Sequence, residues 1–286
     1  MTKHYPSRKV AQEFNTALGW ALFDRPEPRW VVGPAFDVAP AMALNLSNRL
    51  LRKMYYFPKA WGRWWMGTPL AQCLQQELTP GSLFVDIGSN VGFFSLYAAR
   101  LVGSDGAVLA FEPDPELAES LRRSALLNEF DHLDCAPIAL SDHTGDGRFY
   151  KAVDAPASSL VPEAPERRSR YRDTIRVPVS TLDDYLEGTP HLGRRVGLIK
   201  VDVEGEEARA IAGMLETLRE ACWPTLWVEV RGPHGSTRAP NTYPAVLALL
   251  APLGYRPYRC VEGRELPVAE GEVQGREDIL FRHANR

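Results

Sequence analysis

The chain has 286 residues, of which 45% are hydrophobic and 24% are charged, and its formal net charge is −3. This size and mixture are typical of one large globular domain, or of a domain of about 200 residues with an extension, and they exclude a chain that is disordered throughout. The slightly acidic balance provides no global positive field for a nucleic-acid backbone, so we expect no nucleic acid as a partner.

Residues 1–75 differ from the rest and are predicted to form an N-terminal extension of short helices and loops. The segment contains Trp61, Trp64 and Trp65. Clustered aromatic side chains most often pack as core, so we expect them to hold the extension against the following domain. A wall that binds the acceptor, or an interface of a homodimer, is the alternative for these tryptophans.

Residues 76–286 alternate between strand and helix patterns, which predicts a second, larger domain. Its predicted strands are 83–87, 107–112, 133–140, 196–203, 224–230, 255–261 and 278–283. Its predicted helices cover 92–102, a segment from Pro115, 206–222 and 243–250. Repeated strand–helix units predict an α/β fold with a mainly parallel sheet, in which ligands bind beyond the carboxyl ends of the strands.

Between residues 145 and 180 this rhythm breaks. Two strand-like pieces, 147–152 and 174–179, flank a loop rich in Pro, Ser and Arg, which predicts an inserted hairpin. The Arg-rich stretch at 166–172 has the composition of a solvated loop, with attraction of an acidic acceptor as the alternative.

The cysteines and the hydropathy pattern bear on the compartment. Cys73, Cys135, Cys222 and Cys260 are far apart and form no CxxC pair, so neither a zinc site nor a redox dithiol is expected. The first residues are too polar for the core of a signal peptide, and no apolar run approaches the length of a membrane span. We therefore expect a cytoplasmic protein.

The turn after the first predicted strand has the features of a cofactor-binding loop. It reads DIGSNVG over residues 86–92 and leads directly into a helix, and its glycines allow a tight turn close to a ligand. Glu112 ends the second strand, where a carboxylate can accept hydrogen bonds from two ribose hydroxyls. A carboxylate at Asp86 suits an ammonium group and repels a pyrophosphate, so S-adenosylmethionine fits this loop better than NAD.

Charged residues cluster at the ends of the fourth and fifth predicted strands. Lys200, Asp202 and Glu204 alternate along the fourth, and strand periodicity would place them on one side, where three charges are costly without a purpose. Glu229 ends the fifth strand, and His234 follows in a Gly-rich loop. A hydroxyl acceptor needs a base or an electrostatic aid, so these five residues are the candidate catalytic groups. A buried ion pair with a helix-start Glu is the structural alternative.

Asp202 and Glu229 also offer the oxygen ligands that hard divalent cations prefer. The sequence contains no compact Asp-Asp-Asn cluster, and we therefore predict no metal centre.

Five motifs, in this order, resemble the FkbM family of methyltransferases. They are FVDIGSNVGFFSLYAA, FEPDP, ALSD at 139–142, VPVSTLDDYL at 177–186 and LIKVDVEGEE at 198–207. The resemblance covers about residues 80–230. It implies a class I methyltransferase fold, Rossmann-like, with a seven-stranded, mostly parallel sheet whose last strand is antiparallel. It also implies S-adenosyl-L-methionine as the cofactor and O-methylation of a hydroxyl on a natural product, sugar or glycolipid.

The resemblance further implies which residues bind the cofactor. Those expected around its methionine end are Asp86, Gly88, Ser89, Asn90, Gly92 and Phe93. Those expected at the ribose and the adenine are Glu112, Pro113, Asp114, Leu140, Ser141 and Asp142, with Asp142 accepting from the exocyclic amine.

Two other functions are left open by the sequence. One is an NAD-dependent oxidoreductase on a similar sheet, which Asn90 in the turn and the LIKVDVEGEE segment disfavour. The other is a non-catalytic module that retains the S-adenosylmethionine pocket. The expected partner is a small-molecule hydroxyl acceptor, and a homodimer is left open.

Overall fold

The computed structural model of the chain describes residues 30–33, 41–45, 67–152, 158–160, 171–233 and 241–285. In chain order its strands are β1 (Trp30–Gly33), β2 (Met42–Asn45), β3 (Leu83–Ile87), β4 (Ala107–Phe111), β5 (Leu133–Ala136), β6 (Ala139–Leu140), β7 (Gly145–Ala152), β8 (Tyr171–Ser180), β9 (Val196–Val201), β10 (Thr225–Arg231), β11 (Tyr255–Val261), β12 (Arg264–Pro267) and β13 (Arg276–His283). Its helices are α1 (Pro69–Glu77), α2 (Phe93–Val102), α3 (Pro115–Leu127), α4 (Leu182–Leu186), α5 (Glu207–Ala212), α6 (Leu215–Glu220) and α7 (Tyr243–Leu250).

The main sheet has the strand order β12-β11-β13-β10-β9-β3-β4-β5. β5, β4, β3, β9 and β10 are mutually parallel, whereas β13 is antiparallel to both of its neighbours, β10 and β11. The predicted α/β fold of the class I methyltransferase type, with an antiparallel last strand, is confirmed. The chain proceeds outward in opposite directions from β3 and β9, so the point where strand order reverses lies between these two central strands.

The expected number of seven strands was wrong for the described part of the chain, because β12 adds an eighth at one edge. All four residues of β12 are exposed, and it pairs only with β11. An edge strand of this kind has no apolar alternation from which it can be predicted.

Helices pack on both faces of the sheet, as the alternation of strands and helices predicts. Along β3, Phe84 joins the core formed with α1, α2 and α3, whereas Val85 and Ile87 join the core formed with α5, α6 and α7. All five β3 residues are buried. Burial on both faces explains why the strand is apolar at every position except Asp86, and each fully buried Leu, Val or Phe contributes about 1.5–3 kcal/mol.

The described part of the N-terminal extension includes a two-stranded antiparallel sheet, β1–β2, where only helices and loops were predicted. The β2 strand packs on α3: Ser124 Oγ accepts from the backbone N–H of Ala43 at 2.9 Å, and Ser120 Oγ donates to the Ala43 carbonyl at 2.5 Å. Strands this short, whose backbone hydrogen bonds are made partly to serines of a distant helix, show no hydrophobic periodicity from which they could be predicted. The helix α1 spans the predicted domain boundary at residue 75, and Trp61, Trp64 and Trp65 lie outside the described residues.

Two predicted elements are divided in the structure. The third predicted strand, 133–140, consists of β5 in the main sheet and β6 in a second sheet, separated at Pro137, which has no N–H to donate. The predicted helix 206–222 consists of α5 and α6, separated at Gly213. A Cβ on Gly213 would lie 2.0 Å from the Ser141 carbonyl oxygen, so the chain passes there only with glycine.

The inserted hairpin is confirmed as an antiparallel pair, β7–β8, and β8 also pairs in parallel with β6. Phe149 and Val177 are buried in the small core of this second sheet. The loop 161–170, which holds most of the Arg-rich stretch, lies outside the described residues. Nowhere in the described ranges is there a helix with the length and hydropathy needed to cross a membrane.

Candidate active site

A crevice opens at the carboxyl ends of the central strands, where the strand order reverses. The predicted cofactor residues that line it are Gly88, Asn90, Glu112, Pro113 and Leu140, and the predicted catalytic residues that line it are Asp202 and Glu204. The hairpin contributes further lining residues, Phe149 and 158–160. The structure therefore brings members of both predicted sets together around one cavity.

The turn between β3 and α2 forms one wall of the crevice. Gly88 has φ 78°, and a Cβ there would lie 1.9 Å from the Asp202 carbonyl oxygen, so only glycine fits between the two loops. Asn90 has φ 52°, a left-handed conformation that Asn tolerates better than most residues. Its Oδ1 is buried and accepts no hydrogen bond from any described residue. The wall of the crevice therefore contains a hydrogen-bond acceptor, Asn90 Oδ1, to which no described residue donates.

Glu112 is held by main-chain donors on both sides. The backbone N–H of Asn90 donates to Oε2 and that of Asp114 donates to Oε1, each at 2.8 Å. The residue is 5% exposed, and burial raises the pKa of its carboxyl to about 7, against the lowering effect of the two N–H groups. Each carboxylate oxygen retains a second lone pair. The carboxylate is therefore oriented to accept from two hydroxyls in the crevice.

The structure places Asp86 outside the crevice, in a buried ion pair with Lys200. The two residues are register partners on β3 and β9, and Lys200 Nζ lies 3.1 Å from Asp86 Oδ1 and 2.9 Å from the Gly88 carbonyl oxygen. Ser95 Oγ donates to the other Asp86 oxygen at 2.6 Å. Asp86 is 1% exposed, and its carboxylate anchors the turn.

Lys200 remains a cation in this arrangement. Burial disfavours its charged form, but the carboxylates of Asp86 and Asp202 outweigh burial and raise the pKa of the ammonium group. The ion pair that was weighed as the structural alternative for Lys200 is the arrangement observed.

Three other predicted cofactor residues serve the framework near the turn. Gly92 precedes α2 with φ 78°, and Phe93 is buried in the core against Phe94. Asp114 caps α3 by accepting from the Glu116 N–H at 3.0 Å, and it forms a buried ion pair with Lys151 at 2.9 Å. None of the three predicted residues lines the crevice.

The predicted polar residues Ser89, Ser141 and Asp142 also lie outside the crevice lining. Ser89 and Ser141 are buried, and each donates its N–H to a backbone carbonyl. Asp142 has a 42% exposed side chain and contacts His143, whose hydrogen bond is the main cause of the lowered pKa of the Asp142 carboxyl. The predicted contact between Asp142 and an adenine amine therefore has no geometric support.

Glu206 is a crevice residue that sequence reasoning missed. It is 5% exposed, burial raises the pKa of its carboxyl, and its Oε2 is buried without a hydrogen-bond donor among the described residues. Arg209 Nη1 lies 3.7 Å from that oxygen. In the sequence Glu206 reads as an ordinary acidic residue before a helix, and that pattern gives no sign of burial.

Two carboxylates that line the crevice, Asp202 and Glu204, cluster with the buried Glu229, and we call these three residues the acidic rim. One oxygen from each lies within 4.8 Å of the other two. Strand periodicity is not the reason for this cluster, because β9 ends at Val201 and Glu204 has a left-handed φ of 56°. The prediction that Lys200, Asp202 and Glu204 share one side of a strand was therefore wrong.

Arginines from the neighbouring antiparallel pair of strands contact the acidic rim. Arg276, the first residue of β13, lies 2.5 Å from Glu229 Oε2 and 2.7 Å from Glu204 Oε1. Arg231, the last residue of β10, contacts the other Glu204 oxygen. Burial raises the pKa of Glu204 to about 7 against the Arg276 charge, and burial and the charge of Asp202 raise the pKa of Glu229. Neither arginine was predicted, and His234 lies outside the described residues.

The sequence model of one protein family, described as the methyltransferase FkbM domain, matches residues 86–257, which are more than half of the chain. The chain belongs to the FkbM methyltransferase family. The predicted family resemblance and the predicted cofactor, S-adenosyl-L-methionine, are thereby confirmed, and the domain is a S-adenosylmethionine-dependent methyltransferase domain. The alternative of an NAD-dependent oxidoreductase loses its support.

Curated relatives of this FkbM-family chain include two methyltransferases of about 30% identity. Methyltransferase sdnD of Sordaria araneosa is 31% identical over 166 residues, which are 49% of this chain and 63% of the relative. The 31-O-demethyl-FK506 methyltransferase FkbM of Streptomyces tacrolimicus is 30% identical over 175 residues, which are 52% of this chain and 64% of the relative. The matches thus span less than two thirds of either relative.

Among solved structures, the chain is similar to the methyltransferase FkbM from Methylobacillus flagellatus. The sequence identity is 18%, the match covers 71% of this chain and 44% of that one, and the TM-score is 0.42.

The residues of the crevice fit S-adenosylmethionine. The ligand carries an ammonium group, two ribose hydroxyls and an adenine amine, all of which are hydrogen-bond donors. The crevice offers matching acceptors in the Glu112 carboxylate and in Asn90 Oδ1 and Glu206 Oε2, two buried oxygens that accept no hydrogen bond from a described residue. Buried acceptors with lone pairs that the protein leaves unfilled are the expected complement of a donor-rich ligand.

Proposed function

We propose that the protein is an O-methyltransferase that transfers the methyl group of S-adenosylmethionine to a hydroxyl of a natural product, sugar or glycolipid. The observation that carries this proposal is the position of Asp202, a partly exposed carboxylate in the same crevice as Glu112. One relative is named as the methyltransferase of 31-O-demethyl-FK506, a compound whose name indicates an oxygen without its methyl group. This name supports an oxygen acceptor.

Each part of the crevice has a role toward the cofactor. Gly88 and Asn90 would hold its amino-acid end, Glu112 its ribose, and Pro113 with Leu140 its adenine. We propose that Glu206, rather than Asp142, accepts from the adenine amine, because its buried Oε2 accepts no hydrogen bond from a described residue and the residue lines the crevice. When bound, the cofactor supplies a methyl group already activated on sulfur, so the protein chiefly aligns the partners and excludes water.

Asp202 is the rim carboxylate best placed to act as the base. Its nearest cations lie at 3.6 Å (Lys200) and 4.0 Å (Arg276), whereas Glu204 is held by two arginines at closer range. One third of its side chain is exposed, whereas Glu229 is buried and does not line the crevice. Asp202 accepts the proton of the acceptor hydroxyl while that oxygen bonds to the methyl carbon and the carbon–sulfur bond breaks.

The experiment is a transfer assay with cofactor labelled with ¹³C in the methyl group. Macrocyclic alcohols, sugars and glycolipids are offered beside matched compounds that carry an amine in place of the hydroxyl. We expect an O-methyl carbon signal in the product, formation of S-adenosylhomocysteine and loss of both in Asp202→Asn. A methyl group found only on nitrogen would contradict the proposal. Cofactor binding without transfer to any acceptor would favour the non-catalytic module.

A further inference from the structure

Arg276 reaches the crevice because its strand runs against the parallel strands. β13 is antiparallel to β10, and the first residue of β13, Arg276, is the register partner of the last residue of β10, Arg231. The start of β13 therefore lies at the edge of the sheet where the parallel strands end. Arg276 lines the crevice together with Asp202 and Glu204. It lies beyond residue 257, where the match to the family model ends.

A single guanidinium contacts the whole acidic rim. Arg276 Nε lies 2.5 Å from Glu229 Oε2, and Nη2 lies 2.7 Å from Glu204 Oε1 and 4.0 Å from Asp202 Oδ1. The spacing of the three rim carboxylates, within 4.8 Å of one another, is one at which oxygen ligands can share a divalent cation. The planar group of Arg276 therefore fills the position between the carboxylates that such a cation would take.

The charge of Arg276 opposes a metal ion at that position. A guanidinium cannot be deprotonated in a protein, and it would repel a divalent ion bound to the same oxygens. Arg231 adds a second positive charge on Glu204, and Lys200 lies 3.6 Å from Asp202. The carboxylates of the rim are already matched by side-chain cations from three strands.

We propose that Arg276 is a positioning residue that takes the place of a divalent cation, holding the acidic rim so that methyl transfer proceeds without a metal. The statement about turnover rests on the proposed O-methyltransferase function. The statement that Arg276 excludes a cation rests on the geometry and charge of the rim, and direct metal binding tests it independently of activity.

The variants that test this are Arg276→Ala, Arg276→Lys and Arg282→Ala. Arg282 is a matched control because it is an arginine on the same strand that contacts two carboxylates, Glu77 at 2.8 Å and Glu265 at 2.5 Å, at the opposite end of β13. Binding of S-adenosylhomocysteine by each full-length variant shows that the fold and the crevice are retained. If Arg276→Ala fails this check, Arg276→Met, which keeps an aliphatic stem, takes its place.

The decisive readout is Mn²⁺ binding by metal-stripped protein, followed by electron paramagnetic resonance. We expect the alanine variant to gain one Mn²⁺ site with a Kd of about 10⁻⁵–10⁻³ M, which is the weaker part of the range that protein carboxylate sites show for Ca²⁺. The wild type, Arg276→Lys and Arg282→Ala should show no binding in that range. Binding of Mn²⁺ to the crevice of the wild type, or no gain in the alanine variant, would overturn the proposal.

The activity readout separates positioning from a general loss of stability. Wild-type kcat/KM should be unchanged after chelator treatment, and Arg276→Ala should lower it about 100-fold because the rim carboxylates lose their fixed places. Arg276→Lys should recover part of this loss, since it restores the charge without the planar fork. Activity that chelator removes and Mn²⁺ restores in the wild type would show that a metal, and not Arg276, serves the rim. If no acceptor is methylated at all, the Mn²⁺ result still decides the cation question.

Discussion

The two ends of the crevice are built in different ways. Glu112 and the turn at 88–90 follow the neighbouring parallel strands β4 and β3, and main-chain N–H groups fix the Glu112 carboxylate. The acidic rim is assembled from the loop after β9 and from β10, and its contacts are ion pairs between side chains, with Arg276 supplied by β13. The carboxylate that the backbone holds should keep its position when neighbouring side chains are changed. The carboxylates of the acidic rim, which are held by ion pairs, should shift when any one of the paired charges is removed.

The largest effect expected at the acidic rim is that of Asp202→Asn. Removing a general base costs about 10²–10⁴-fold in rate, so kcat should fall by that factor while the Kd for S-adenosylhomocysteine changes little. Single-turnover kinetics and calorimetry measure the two quantities separately. Asp142→Asn, a change to an exposed carboxylate outside the crevice, is the matched control. A kcat within tenfold of the wild type would remove Asp202 from the mechanism.

At the other end, Glu112→Gln should weaken S-adenosylhomocysteine binding about 100-fold. Hydrogen bonds to a charged group contribute about 1.5–3 kcal/mol each, and the amide loses the charge and one of the two acceptor oxygens. At saturating cofactor kcat should be nearly retained, which is the reverse of the Asp202→Asn result. A fall in kcat with unchanged affinity would contradict the separation of the two ends.

Cofactor affinity should depend on pH through Glu112. Burial raises the pKa of this carboxyl to about 7 in the free protein, and hydrogen bonds from ribose hydroxyls favour the ionised form and so lower the pKa in the complex. Binding therefore releases a proton below pH 7, and the Kd should rise roughly tenfold per pH unit as the pH falls below about 7. Calorimetry in buffers of different ionisation enthalpy measures the proton. Glu112→Gln should remove most of the dependence and leave the part that comes from Glu206, whose pKa burial also raises. A wild-type Kd that stays constant from pH 7 to 5 would be the contrary result.

The smallest effect concerns Glu206. Replacing the charged acceptor by a neutral amide, whose oxygen can still accept, should weaken S-adenosylhomocysteine binding roughly tenfold in Glu206→Gln, and Asp142→Asn should leave it unchanged. An analogue with hypoxanthine in place of adenine presents a carbonyl oxygen instead of the amine, so Glu206→Gln, whose amide can donate, should bind this analogue better than the wild type does. Equal discrimination between the two nucleosides by wild type and Glu206→Gln would exclude this role.

The difference between the two ends also explains what could be predicted from the sequence. α7 and β11 begin and end at the predicted residues, since each is an uninterrupted segment bounded by turn residues. Glu112 was predicted as a ligand-binding residue because its strand, its turn and the glycine loop form one local unit. β1 and β2 were missed because their pairing partner and the α3 serines are set by tertiary packing.

Arg276 was missed for a physical reason of the same kind. An arginine at the start of a strand is typical of a solvated position, and only the antiparallel register with β10 carries it to the crevice. For Asp86, the place in the loop indicated a ligand contact, and nothing in the sequence indicated the ion pair with Lys200, its partner across the sheet. Charges that pair across strands cannot be assigned from one segment of sequence.

The central claim is that one crevice binds S-adenosylmethionine next to the acidic rim. Its most direct test is a calorimetric titration of the full-length protein with S-adenosylhomocysteine and with NADH. We expect one molecule of S-adenosylhomocysteine to bind per chain with micromolar affinity, and NADH to show no binding under the same conditions. Binding of NADH without binding of S-adenosylhomocysteine would contradict the assignment of the crevice.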